Sequence, residues 1–165
     1  MRFLWLIPIA LVVVLDQITK FLIVSGMELH ESIPLIEGVL NLTYIRNEGA
    51  AMGMLDDSRW VFMITSTVAI IGVSIFMFGW YKKHYNPFLY TSLSFIVGGG
   101  IGNMIDRTLL GYVIDFIDVK FIPFWKWIFN VADAFVCVGC GMVVLYIILS
   151  DIKEAKLKKA DSLSE

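Results

Sequence analysis

Charge is what this chain has least of. Asp, Glu, Lys and Arg make up only 17% of its 165 residues, against 58% hydrophobic residues, and its mean hydropathy is +0.78. Soluble domains are roughly 45–50% apolar, so there is too little charge here to cover a solvated surface. A water-soluble globular domain is excluded and an integral membrane protein is indicated. Histidine is scarce too: His30 and His84 are the only two. The topology derived below puts them on opposite sides of the membrane, and no serine–histidine–acid set is read around either. The two cysteines, Cys137 and Cys140, form a C-x-x-C that suggests redox chemistry. Both fall inside an apolar run beside Gly139 and Gly141, one turn apart, and are read as small helix-packing residues rather than nucleophiles. Repeats, low-complexity tracts and linkers are missing, so one membrane-embedded domain, 1–165, is expected.

Long uncharged runs are abundant. A bilayer core about 30 Å thick takes about 20 helical residues, and four spans are expected near 3–24, 60–81, 88–106 and 131–150. The first carries Asp16, Gln17 and Lys20. It could pass for a signal peptide, but no clear small-x-small cleavage site follows and its polar residues recur at helical spacing. With the N-terminus inside, the cytoplasmic segments hold seven basic and four acidic residues, and the rest of the chain six basic and eleven acidic. The positive-inside bias then puts both termini in the cytoplasm. Trp5 and Trp80 fall at inner helix ends and Trp60, Trp125 and Trp127 at outer ones, as an interfacial belt would require.

Two segments face outward, 25–59 and 107–130. The first contains "SIPLIEGVLNLTYIRNEG", with a turn signal at Glu37-Gly38, and two or three short strands are expected there. The second is rich in aromatics and is expected to skim the interface. The inner loop "KKHYNP" reads as a tight turn with Pro87 opening the third helix, and the tail 151–165 as a solvated, partly helical end.

Ionisable residues inside a span cost about 2.5–3.5 kcal/mol each on insertion scales, so they face an interior and act there. All of them gather toward one side. At about 1.5 Å per residue, Asp16 lies some 20 Å above the inner end of its helix. Asn103, Asp106 and Arg107 close the third helix at that level, and Asn130 and Asp133 open the fourth. Asn103, Asp106 and Arg107 share one helix face, and Asp16 precedes Lys20 by four residues, the favourable order for an ion pair. Mutual neutralisation of Asp16 with Lys20 and of Asp106 with Arg107 is the plainer role for these four. The "GGGIGN" run, Gly98–Asn103, reads as close helix packing; it departs from G-x-G-x-x-G and no strand precedes it.

Asp115 and Asp133 differ from these. Neither has a basic residue within four positions, and both lie near the boundary where water is scarce. Two carboxyls in one poorly solvated pocket cannot both ionise and must share a proton. The ionised member then draws a proton from water while the protonated one polarises a carbonyl. A cap on the fourth helix (Asp133) and a loop aspartate (Asp115) remain open as plain structural alternatives. Asp118 in "DFID" competes for the same place, and aspartates three apart can also hold a divalent metal.

Five separated motifs, "LDQITK" (15–20), "RNEGAAMG" (46–53), "GGGIGNMIDR" (98–107), "GYVIDF" (111–116) and "FNVADA" (129–134), together resemble the lipoprotein signal peptidase (signal peptidase II) family over nearly the whole chain. The resemblance implies an all-α integral membrane fold of four transmembrane helices with a small extracytoplasmic β-sheet, or cradle, and a short interfacial helix. It implies an aspartyl peptidase that removes the signal peptide of diacylglyceryl-modified bacterial prolipoproteins on the N-terminal side of the modified cysteine. By motif match the catalytic pair falls on Asp115 and Asp133, and not on Asp118. Asp16, Lys20, Asn47, Gly49, Asn103, Asp106, Arg107 and Asn130 match support and substrate-orienting positions, with Arg107 expected to pair with Asp16 or Asp106. Metal, cofactor and nucleic acid are not called for; the partners implied are the prolipoprotein and membrane lipids, for a monomer in the bacterial cell membrane with its site near the outer face. A site at that depth spares the enzyme extracting acyl chains, at about 0.8 kcal/mol per CH₂. Met52, where the family often has an aromatic, and Ala134, where serine is common, depart from the pattern.

Two other readings compete. "RTLLGYVIDFID" is reminiscent of a metal-dependent phospholipid head-group transferase, but it lacks the preceding acidic half and one spacing is a residue short. A proton- or ion-conducting bundle relaying through Asp16, Asp106 and Asp133 would need polar residues at full membrane depth.

Overall fold

The computed structural model describes residues 4–49, 58–121 and 127–163. Among these residues, four helices and four strands follow in the order α1 (Leu6–Gly26), β1 (Ser32–Ile36), β2 (Leu40–Asn47), α2 (Ser58–His84), α3 (Pro87–Leu109), β3 (Val113–Val119), β4 (Ile128–Phe129) and α4 (Val131–Asp161). Among the described residues, α1, α3 and α4 are long and apolar enough to cross a membrane, and α2 carries a shorter apolar stretch, Met63–Gly79. The apolar side chains point outward: Phe21 is 69% exposed, Val68 65% and Ile75 66%. That inverts the soluble pattern, in which large apolar surface is covered.

α3 is the hub, packing against α1, α2 and α4. Glycines allow this approach. A Cβ on Gly98 would lie 2.9 Å from the Val12 Cβ, one on Gly102 2.6 Å from Asp16 Oδ2, and one on Gly99 would collide with the Ala132 carbonyl. Across the bundle, a Cβ on Gly139 would come within 2.7 Å of the Ser92 carbonyl. The glycine run is therefore a packing surface, as its sequence suggested. Toward the other end, Trp5, Ile9, Met77, Tyr90, Leu93 and Val97 form an apolar core, and the Tyr90 hydroxyl donates to the Met77 carbonyl at 2.9 Å. Asn86 caps α3 by accepting from the Leu89 N–H at 3.1 Å, with Pro87 at the first helical position.

The strands form one antiparallel sheet in the order β1-β2-β3-β4. The β1–β2 turn uses Gly38 at φ +71°, the left-handed conformation a glycine adopts without penalty. Pro34 lies in β1, an edge strand, where a missing N–H breaks no ladder. Ile23 at the end of α1 packs with Tyr44, Ile114 and Phe116 and fastens the sheet to the helices.

Several expectations need correction. The segment expected to skim the interface contributes β3 and β4, and among the described residues no helix lies between α3 and α4. Residues 122–126, including Trp125, fall outside the description, as do Met52 and the Trp80 side chain. The two strands of 25–59, β1 and β2, are as expected; β3 and β4 join them because a buried strand must pair to satisfy its backbone, a tertiary requirement with no local signature. Trp5 is 6% exposed and belongs to the core, whereas Trp60 and Trp127 are largely exposed. Cys137 and Cys140 both lie on the exposed side of α4, so the packing role there falls to Gly139. α4 runs unbroken into the tail as far as Asp161, its last two turns exposed.

Candidate active site

Where α1, α3, α4 and the sheet converge, the buried groups are polar. Lys20 is 1% exposed, with Asp16, Asp106, Asp115, Asn103 and Asn130 buried around it. The spacings put them there. Asp16 and Lys20, one turn apart on α1, form an ion pair of 2.8 Å, and Lys20 reaches Asp106 Oδ2 on α3 at 2.9 Å. Its third proton goes to Asn103 Oδ1 at 3.0 Å, one turn before Asp106. An ammonium has three donors, and all three are used, which offsets the several kcal/mol of desolvation a buried ion costs.

The two acids of this cluster also bind backbone. Asp16 Oδ1 accepts the Ala132 N–H at 2.9 Å, holding the first turn of α4, and Asp106 Oδ2 accepts the Ile114 N–H at 3.1 Å, holding the start of β3. Each carboxylate thus pins an element that carries one of the candidate catalytic aspartates. Sequence spacing suggested Arg107 as the partner of Asp106. In the structure Lys20 serves both acids, while the charge of Arg107 acts most strongly on Asp133, then Asp115, and least on Asp106.

Asp115 arrives from β3 and Asp133 from the first turn of α4. Asn130 touches both. Its Nδ2 donates to Asp115 Oδ1 at 2.7 Å, and its backbone N–H donates to Asp133 Oδ2 at 3.2 Å. Asn130 is also the α4 N-cap, its Oδ1 accepting the Asp133 N–H at 2.9 Å, so Asn130 and Asp133 close a reciprocal capping box. The capping reading of Asp133 is therefore correct, and it leaves Asp133 Oδ1 to accept from Asn103 Nδ2 at 2.7 Å. Asp115 Oδ2 accepts from Asn47 Nδ2 at 2.8 Å. In the β2–β3 register Ile45 stands opposite Asp115, so Asn47, two residues on, is its diagonal neighbour. The register shift between Leu42 and Ile45, a bulge, re-aims β2 at this point.

All three asparagines face the same way. Each amide oxygen is occupied by a donor: Gly49 N–H on Asn47 at 2.9 Å, Lys20 and Asn130 on Asn103, and Asp133 N–H on Asn130. Each NH₂ is thereby turned onto a carboxyl of the pair. Gly49, at φ +91°, supplies the turn that brings its N–H back to Asn47. Burial pushes the Asp115 carboxyl up to about 7 from the usual 3.8; the charge of Asp133 adds to this, and the Asn47 and Asn130 amides oppose it.

Asp118 faces different company. Thr43 Oγ1 donates to its Oδ2 at 2.7 Å and Lys120 ion-pairs with it at 2.7 Å, away from the asparagine network. Among the described residues no cluster of three or more His, Cys, Asp or Glu has the arrangement of a metal site. Sequence reasoning missed one participant: Gln17 Nε2 lies 3.2 Å from Asp16 Oδ2, 3.2 Å from the Gly102 carbonyl and 3.0 Å from Asp106 Oδ1, tying α1 to α3. Its position beside Asp16 in an apolar run was the available signal.

Apolar helices beneath a small sheet, with two carboxyls held where they join, define a membrane enzyme. Two solved structures described as bacterial membrane enzymes obtained by the in meso method share the fold. Each superposes with a TM-score of 0.79, one at 32% identity over 89% of this chain and 88% of its own, the other at 33% over 87% and 91%. The particular enzyme follows from the sequence relatives. A lipoprotein signal peptidase of Brevibacillus brevis is 46% identical over 87% of this chain and 94% of its own, and one of Halalkalibacterium halodurans 44% identical over 92% and 97%. Residues 8–149 match the family described as Signal peptidase (SPase) II, and the chain belongs to that family.

Proposed function

We propose that this peptidase is of the aspartic type, with Asp115 and Asp133 as its catalytic pair. One observation carries the reading: two carboxyls from elements distant in the chain are both held by Asn130 and, among the described residues, accept hydrogen bonds from amide donors. Asp133, in the first turn of α4, has a helix N-terminus to favour its charge. Asp115, raised to about 7, still binds a proton in about half of the molecules at neutral pH and in most at mildly acidic pH. Asp133 is accordingly the base that takes a proton from water, and Asp115 the acid that polarises the scissile carbonyl and receives its developing negative charge. Collapse of the tetrahedral intermediate returns a proton to the leaving amine and resets the pair.

The substrate is a diacylglyceryl-modified prolipoprotein, cut on the N-terminal side of the lipid-bearing cysteine, as the names of the relatives and the depth of the site support. α2, about 40 Å long at 1.5 Å per residue, is the fourth span. Both termini lie in the cytoplasm, the pair lies near the outer face, and the enzyme acts as a monomer without metal or nucleic acid. Asp16, Lys20, Asn47, Gly49, Asn103, Asp106, Arg107 and Asn130 support the pair or orient the substrate.

The test is cleavage of a diacylglyceryl prolipoprotein by Asp115→Asn and Asp133→Asn separately. Each variant is expected to fold, insert and lose at least a thousandfold in turnover. Retention of more than a tenth of the activity by either would end the assignment.

A further inference from the structure

Lys20 is buried behind the pair and reaches it through one residue. Its Nζ donates to Asn103 Oδ1 at 3.0 Å, and Asn103 Nδ2 donates to Asp133 Oδ1 at 2.7 Å. An amide can be reversed at little steric cost, so its direction is set by the groups around it. Here two donors hold the oxygen, Lys20 and Asn130 Nδ2, the latter at 2.9 Å. The hold of Asn130 is the weaker one. Its NH₂ already serves Asp115 Oδ1 and has the Ile114 carbonyl, at 3.4 Å, as an alternative acceptor. Without Lys20, Asp16 Oδ2 would keep only Gln17 Nε2, at 3.2 Å, and Asp106 Oδ2 only the Ile114 N–H, at 3.1 Å, so each would lose its charged donor beside Asn103. The Asn103 NH₂ would swing toward them and present its oxygen to Asp133.

We propose that Lys20 is a positioning residue for the reaction: it fixes the Asn103 amide with the NH₂ toward Asp133, and so keeps Asp133 able to carry the charge of the pair. This rests on the aspartic reading above. Among the described residues, the charged groups facing the cluster are Asp16 from α1, Asp106 and Arg107 from α3, Asp115 from β3 and Asp133 from α4. Four acids thus meet two cations. Removing Lys20 takes away one of the cations as well as the amide lock, and both changes make the base harder to ionise.

The experiment compares wild type with Lys20→Met, purified as full-length folded protein, on a diacylglyceryl-modified peptide across pH 4.5–9. We expect kcat to fall at least tenfold, KM to change less than twofold because Lys20 lies behind the pair, and the acidic limb of the pH profile to move up by about one unit. A smaller active fraction caused by misfolding would lower kcat without moving that limb. A limb within 0.3 unit of wild type, whatever the rate, overturns the proposal.

A second measurement is read on the wild-type enzyme, with a variant used only to assign the signal. The side-chain ¹⁵N resonance of Asn103 in the wild-type enzyme, assigned by its absence in Asn103→Ser, is expected to follow the titration of the pair; a resonance that stays flat from pH 4 to 9 overturns the proposal. Failure here is separable from failure of the aspartic reading, which falls only if Asp115→Asn or Asp133→Asn still turns over.

Discussion

Replacing Asp115 by Asn should change stability in opposite directions at low and high pH. The folded chain holds the Asp115 proton to about 7, the unfolded chain only to 3.8. The folded state is thus the better proton binder, and the group favours folding most at low pH. As pH rises from about 4, the unfolded chain loses this proton while the folded chain keeps it, and stability falls until about pH 7, above which the loss is complete. A difference of about three units at 1.36 kcal/mol each gives about 4 kcal/mol. Asn removes that dependence. It also sets an NH₂ against one of the two amide donors, Asn47 or Asn130, at a cost of about 1–3 kcal/mol. The variant is therefore expected to unfold earlier than wild type at about pH 3.5, where the unfolded chain still holds most of this proton, and later, by about 1–3 kcal/mol, at pH 8.5. Thermal unfolding in detergent at closely spaced pH values measures this. Parallel curves for the two proteins, with no crossing, would show that Asp115 titrates normally and that burial does not govern it.

Other sites give further outcomes. Gly102→Ala drives a Cβ to 2.6 Å from Asp16 Oδ2 and should cost about 1–3 kcal/mol in thermal unfolding, whereas Gly141→Ala meets nothing within 4 Å and should be neutral or slightly stabilising. Asn130→Ala removes the α4 cap and a donor to the pair; a stability loss of about 1 kcal/mol and a drop in kcat of about a hundredfold or more are expected in paired unfolding and cleavage assays. The double substitution Cys137→Ala and Cys140→Ala should leave cleavage within twofold, since both thiols lie on the exposed side of α4; a larger loss would reveal a role for them.

Much of the site could be read from the sequence because helical spacing is a local rule. Asp16 and Lys20 had to share a face, as did Asn103 and Asp106, and the structure joins both pairs at one ammonium. The glycine run and the Asn86–Pro87 start of α3 were visible for the same reason. What spacing could not supply was the meeting of distant segments. That β3 pairs with β2 and brings Asp115 to Asn47 depends on register across 68 residues, and the separation of Asp118 from the pair depends on Thr43 and Lys120. Trp5 and the cysteines were misjudged because depth in the bilayer was inferred from composition, while the direction of a side chain is decided by the neighbouring helices.

Whether Asp115 and Asp133 hold one proton between them is decided by following their two ¹³C carboxyl resonances through pH in the wild-type enzyme. Two coupled steps are expected, with Asp115 giving up its proton near pH 7. Two independent titrations, both complete near the ordinary carboxylate range of about 4, would contradict that sharing.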